Sequence, residues 1–188
     1  MEKPDLSLIA VTFTVLLIFQ VAFRTHDLES LVDICSLLVS YGCNISGGGS
    51  IPPLQCAVYW KSPSTVAALL SARLKFPDII SRALTALDSV SGYAPLHTAV
   101  RYGTLECARL LIDAGADVNV WSRDMNTPLE LAVMTCNKDA VQLLLQYPSC
   151  QVDKVGSKHA TALRHAVVRG LIVLQQQKIR LRPFFIDY

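Results

Sequence analysis

In the middle of this chain apolar residues recur at intervals of three and four. Leu105, Ala108, Leu111 and Ile112 fall on one side of a helix, with polar residues between them. Short amphipathic helices are the predicted elements, and each comes with matching punctuation. Pro128 suits a first helical turn, where a missing N–H would have had no partner anyway. Thr127 stands before it with a hydroxyl able to cap the helix. Gly115 follows the Leu105–Ile112 run as a left-handed terminator.

The pattern repeats. Gly92-Tyr93-Ala94-Pro95-Leu96-His97-Thr98-Ala99 is followed by Gly103, by Leu110-Leu111 and by Gly115-Ala116-Asp117-Val118-Asn119. Asn126-Thr127-Pro128-Leu129-Glu130-Leu131-Ala132 and then Leu143-Leu144-Leu145 echo it at an offset of 33 residues. A third copy, Thr161-Ala162-Leu163-Arg164-His165-Ala166, comes 34 residues later. Upstream, Pro53-Leu54 and Ala57 with Leu69-Leu70 form a weaker copy. Leu37-Leu38 with Tyr41-Gly42-Cys43-Asn44-Ile45 looks like the close of one earlier still.

This array resembles the ankyrin repeat, whose marks are Thr-Pro-Leu-His-x-Ala, then Gly, then Leu-Leu, then Gly-Ala-Asp-x-Asn. Residues 88–120 carry nearly every mark and 121–153 are the next best match. The resemblance spans roughly 28–170, in about four repeats with the last truncated. It implies an all-α fold, an ankyrin-repeat solenoid of stacked helix-turn-helix units with hairpin-like finger loops. One such unit cannot bury its apolar face alone, so it must stack on neighbours.

Three departures matter. Pro53 and Pro95 are 42 residues apart, nine more than the period. The surplus falls around 71–88, where Pro77-Asp78 followed by Ile79, Ile80, Leu84 and Leu87 predicts an added helical turn. Insertions in such arrays map to one face, often the binding one. Near the end, Gln177 and Lys178 occupy the positions where a Leu-Leu pair should fall. Residues 171–188 form a non-repeat tail in which Leu171-Ile172-Val173-Leu174 and Phe184-Phe185-Ile186 replace a polar cap. This suggests a truncated array or a variant C-terminus of a longer protein. At the start, residues 1–27 supply an apolar segment instead of a Thr-Pro-Leu-His turn. Such ends predict self-association or dependence on a partner.

Composition narrows the class. With 188 residues, 52% hydrophobic and 17% charged, the chain can build one real core and is not wholly disordered. Seventeen basic residues against fifteen acidic leave no footprint for nucleic acid, so none is expected as a partner. Leu6 to Phe23 is free of charge and reaches the lower length limit of a membrane span. Three readings compete: a packed helix, which is preferred, a membrane anchor, and a signal peptide. The last lacks its positive start, because Glu2, Lys3, Asp5 and the amino terminus nearly cancel. Asn44-Ile45-Ser46 is a glycosylation triplet of consequence only in the secretory pathway. The six cysteines contain no Cys-x-x-Cys pair and read as buried reduced thiols of a cytoplasmic protein, with membrane association as the alternative.

No paired acid and base, nucleophile elbow or cofactor fingerprint appears, so the expectation is a non-enzyme without cofactor or metal. Ser46-Gly47-Gly48-Gly49-Ser50 lacks the Gly-Lys-Ser/Thr ending of a phosphate loop. His159 and His165 have no further ligand at metal spacing. The resemblance makes His97 a structural residue hydrogen-bonded to backbone. It also implies binding of a partner protein or peptide through the concave groove and the fingers. The positions it carries over are Tyr59 and Trp60, Arg101 and Tyr102, Met134 and Thr135, and Val168 and Arg169, as a ladder along the groove. The finger between the two best repeats adds Trp121, Arg123, Asp124 and Met125. Tyr, Trp, Arg and Met are the types enriched at interface cores. Two rivals remain: the substrate-recognition subunit of a ubiquitin ligase, in a longer form with a SOCS box, and a membrane-tethered ankyrin protein using residues 6–23.

Overall fold

A computed structural model describes residues 51–71, 76–102, 104–156 and 161–168, together with Asp33 and Leu37, which are both helical. Among the described residues there is no strand. The elements are α1 (Pro53–Tyr59), α2 (Pro63–Leu70), α3 (Pro77–Thr85), α4 (Pro95–Tyr102), α5 (Leu105–Asp113), α6 (Pro128–Met134), α7 (Lys138–Leu145) and α8 (Ala162–Val168). The helices α1, α4, α6 and α8 stack in one row, and α2, α5 and α7 stack in a second row behind it. Each pair α1–α2, α4–α5 and α6–α7 is one repeat. The architecture is the all-α solenoid that the 33-residue period predicts.

The helices start and stop where the sequence marks them. Proline opens α1, α2, α3 and α6 in the first turn. Thr127 and Glu130 form a reciprocal capping box at α6, the side chain of each accepting the other's backbone N–H. Asn137 caps α7 through Ala140 N–H and also donates its amide to Val100 O at 2.9 Å, tying α7 to α4. Gly115, at φ 103°, ends α5: its N–H donates to Ile112 O and that of Ala116 to Leu111 O.

The core is a continuous line of small and branched side chains between the rows. Leu54, Leu69, Leu96, Ala99, Ala108, Leu111, Leu129, Ala132 and Leu144 are all almost wholly excluded from solvent. Alanine on the facing sides of the helices lets leucines of the next repeat pack close. Removing one such leucine side chain costs about 2–5 kcal/mol.

The surplus residues are a complete extra helix rather than one added turn. Helix α3 runs for nine residues, buries Ile80, Ala83 and Leu84, and packs against α4. Leu87, grouped with these in the apolar pattern, lies beyond the helix end and is exposed. An open cleft of about 370 Å³ separates α3 from the end of α5, between Ile80, Leu84 and Gly115.

One expectation of burial is corrected. Cys136 is exposed: it follows the C-cap of α6 at φ 56°, and that left-handed turn points its side chain outward. Cys107 is buried as expected, while Cys56 and Cys150 are half-buried, and all four thiols are free. Leu37, read as half of an apolar pair, is helical but 59% exposed. The apolar segment 6–23, Asn44, residues 46–50, Arg169 and the tail 171–188 lie outside the described residues.

Candidate functional site

The first finger begins at Asp88, and its carboxylate organises everything near it. Oδ1 accepts the N–H of Val90 at 2.7 Å and that of Ser91, an Asx turn extended by one residue. Oδ2 accepts the Ser91 hydroxyl and, at 3.1 Å, the phenol of Tyr59 from the end of α1. The backbone closes the finger with Asp88 N–H to Tyr93 O at 3.0 Å. Burial raises the Asp88 carboxyl, but the hydrogen bonds from Ser91, Tyr59 and Val90 outweigh it and hold the group below its ordinary value. Burial is also the first cause that lifts the Tyr59 phenol above its ordinary value, with the Asp88 charge adding to it against a bond from Ser91.

Tyr59, anchored this way, meets Tyr102 from the end of α4. The ring centroids are 5.1 Å apart and the planes tilted by 58°. Arg101 extends its guanidinium to 5.6 Å from the Tyr93 ring centre and 6.0 Å from that of Tyr102, and donates to the Tyr93 hydroxyl at 3.1 Å. Tyr93 in turn stacks on His97, centroids 5.8 Å apart. The outcome is a surface patch of three phenol rings and one cation drawn from two neighbouring repeats. Tyr102 and Arg101 are exposed and Tyr59 and Tyr93 half-buried.

The other positions of the ladder are placed differently. Trp60 packs half-buried against the core. Met134 is half-buried at the end of α6, and the Thr135 hydroxyl turns back to Leu131 O at 2.9 Å. Val168 ends α8, one residue before Arg169.

In the second finger, Arg123 lies across the first. Its N–H donates to Gly92 O at 2.8 Å and its guanidinium reaches Ser89 O and Asp88 O at 3.3 and 3.4 Å. Trp121 is half-buried under Lys154, whose ammonium sits 4.2 Å from the ring centre and donates to Asn119 O at 2.7 Å. Both side chains thus join one finger to the next. Asp124 and Met125 stand exposed at the tip, Met125 at φ 56°.

His97 is fully buried and its Nε2 bonds Asn126 O at 2.9 Å, the backbone contact its motif position implies. The carbonyl can only accept, so Nε2 carries the proton. Burial lowers its pKa to about 4 against the bond to Asn126, and the ring stays neutral. Among the described residues no group of three or more His, Cys, Asp or Glu could hold a metal ion, and no helix is long and apolar enough to cross a membrane.

Sequence reading missed Asp88 and Tyr93. The signal for Asp88 was present, since Asp-Ser-x-Ser-Gly is turn chemistry in which a carboxylate bonds its own backbone. Tyr93 had none, because its value comes from Arg101, eight residues along the chain and on another element.

Comparison with known proteins agrees with the geometry. Residues 75–156 match the family model described as ankyrin repeats, three copies. The chain is similar to the ankyrin repeat domain of Bcl-3, described as a unique member of the IkappaB protein family, with a TM-score of 0.68 and 28% identity over 78% of this chain and 63% of that one. It is 29% identical to the tyrosine-protein kinase HTK16 of Hydra vulgaris over 62% of this chain and 15% of the relative. It is 34% identical to human ankyrin repeat and SOCS box protein 16 over 44% of this chain and 18% of the relative. The chain therefore spans less than a fifth of the length of either curated relative.

Proposed function

Because residues 75–156 are ankyrin repeats, we propose that the chain is a non-catalytic interaction module that binds a partner protein through the face carrying the ends of α1 and α4 and the adjoining finger. The observation that carries this reading is the patch of Tyr59, Tyr93, Arg101 and Tyr102. Three rings and a guanidinium stand partly solvated, already held in place by Asp88 and by one another. Aromatic and arginine side chains dominate binding energy at interface centres. Holding them before contact lowers the ordering cost of association. Repeat arrays spread such residues over neighbouring units of a rigid scaffold.

A photo-crosslinking residue placed at position 102 of the full chain in cells tests the reading. It should yield a discrete protein adduct, whereas the same residue at Arg109, exposed on α5, should yield none. Equal labelling from both positions, or none from 102, overturns it.

A ubiquitin-ligase adaptor is a second reading, favoured by the likeness to a relative named for its SOCS box. It places the same face on a substrate. Immunoprecipitates of the longest native form that lack ubiquitin-transfer activity would remove it. A cytoplasmic site for the chain draws support from the free thiols of Cys56, Cys107, Cys136 and Cys150. Resistance to alkaline carbonate extraction, or sugar on Asn44, would refute that compartment.

A further inference from the structure

Resting on the binding role just proposed for this face, we infer that Arg101 is the specificity-setting cation of the patch. It receives the carboxylate of an Asp or Glu side chain in an extended peptide segment, whose apolar residue two positions along lies on the rings of Tyr59 and Tyr102.

Arg101 has unspent donors. A guanidinium has five N–H groups. Arg101 uses one of its terminal nitrogens on the Tyr93 hydroxyl, and among the described residues no carboxylate faces it. Its position is fixed by the rings of Tyr93 and Tyr102, so its free edge is presented in one orientation. A planar fork held this way matches a carboxylate through two parallel bonds.

The charge balance chooses among anions. Phosphoryl groups are recognised by clusters of arginines. Here Arg123 is engaged with the carbonyls of Ser89 and Asp88. The carboxylate of Asp88 is already enclosed by Val90, Ser91 and Tyr59. A single guanidinium favours a single negative charge over a phosphate dianion. The shape favours an extended chain. Tyr59 and Tyr102 pack against each other, ring centroids 5.1 Å apart, and make one apolar surface between the ends of adjacent helices. Alternate side chains of an extended segment can reach the rings and the guanidinium in turn.

The test is selection of a random dodecapeptide library on the full chain, followed by anisotropy titration of the selected peptides. The inference expects enrichment of Asp or Glu. It expects an about tenfold or greater loss on changing that acid to its amide, and a similar loss with Arg101→Gln. Arg101→Lys should recover only part of the affinity, because an ammonium cannot make the fork. The thermal melt of Arg101→Gln should match the parent, since the side chain is exposed. Selected peptides without an acid, or peptides that bind Arg101→Gln equally well, overturn the carboxylate assignment. Tighter binding of a phosphoserine version transfers the site to phosphate and also overturns it. If no peptide is selected while the crosslink from position 102 captures a protein, the occupant is a folded surface and the inference fails alone. If neither yields anything, the binding role itself fails.

Discussion

The residue after Pro-Leu does one job in the first two repeats and another in the third. Gln55 reaches forward, donating its amide to Ala86 O at 3.0 Å and to Tyr93 O. His97 reaches forward to Asn126 O. Each joins its helix to the base of the next finger with a buried donor. Glu130 has no proton to give when ionised, so it turns back to its own cap: Oε2 accepts Thr127 N–H at 2.8 Å, and Oε1 has no hydrogen-bond partner among the described residues. The junction beyond it is held instead by Asn119, which accepts Gln151 N–H and donates to Ser149 O, both at 2.8 Å, and by Lys154 on Trp121. A solenoid's stability is the sum of units and interfaces. The N-terminal interfaces are thus secured from inside the stack, while the third depends on polar bonds nearer solvent.

Five substitutions put this contrast at risk. Gly92→Ala should do the most damage. Gly92 has φ +70°, and an added Cβ would lie 2.5 Å from Cβ of Arg123. Left-handed strain plus that clash should cost about 2–3 kcal/mol in urea unfolding, because the junction between the first two fingers must open. A loss below about 0.5 kcal/mol would show the junction to be loose.

Acid should act next, through His97. Its folded pKa of about 4 lies below the unfolded value near 6.5, so the unfolded chain binds the extra proton in between. Stability from this residue is whole above pH 6.5 and is lost as pH falls toward 4, by on the order of 2 kcal/mol at pH 4.5. His97→Gln should flatten that slope while keeping most of the stability at pH 7, because Gln55 already performs this job one repeat earlier. An unchanged slope in the variant would assign the acid sensitivity elsewhere.

Glu130→Gln should move the third junction toward the first two. It keeps an acceptor for the Thr127 N–H and replaces a buried charge with a donor. We expect a gain of about 1 kcal/mol in the same unfolding measurement. A loss of that size would mean the charge is needed, for example by the helix N-terminus it caps.

Trp121→Ala should change least, about 0.5–1 kcal/mol from the contact with Lys154. Lys154→Met should remove the cation and reproduce part of it. If Trp121→Ala leaves the melt unchanged, the tryptophan is free surface.

Much of the fold is legible in the sequence alone. The proline starts, the Thr127 cap and the Gly115 stop follow from local chemistry, which acts within four or five residues; the period shows the repeat, and the family resemblance implies the bond of His97 to backbone 29 residues away. The extra residues before Pro95 are visible as a break in period. That they make a whole helix is not, because Ile80, Ala83 and Leu84 are helical through packing against α4. Cys136 misleads for the same reason in reverse: a left-handed residue past a helix end leaves the face its spacing suggests.

The site divides along the same line. Sequence points to Tyr59, Arg101 and Tyr102, since a repeat fixes which positions line the groove. It also points to Trp121 and Arg123, which the fold engages as links between fingers. Only the tertiary structure joins Tyr59 to Asp88 across 29 residues of chain and sets Arg101 against Tyr93. Periodicity determines which face each residue occupies; which of those faces remain free is decided by the neighbours that stacking brings to them.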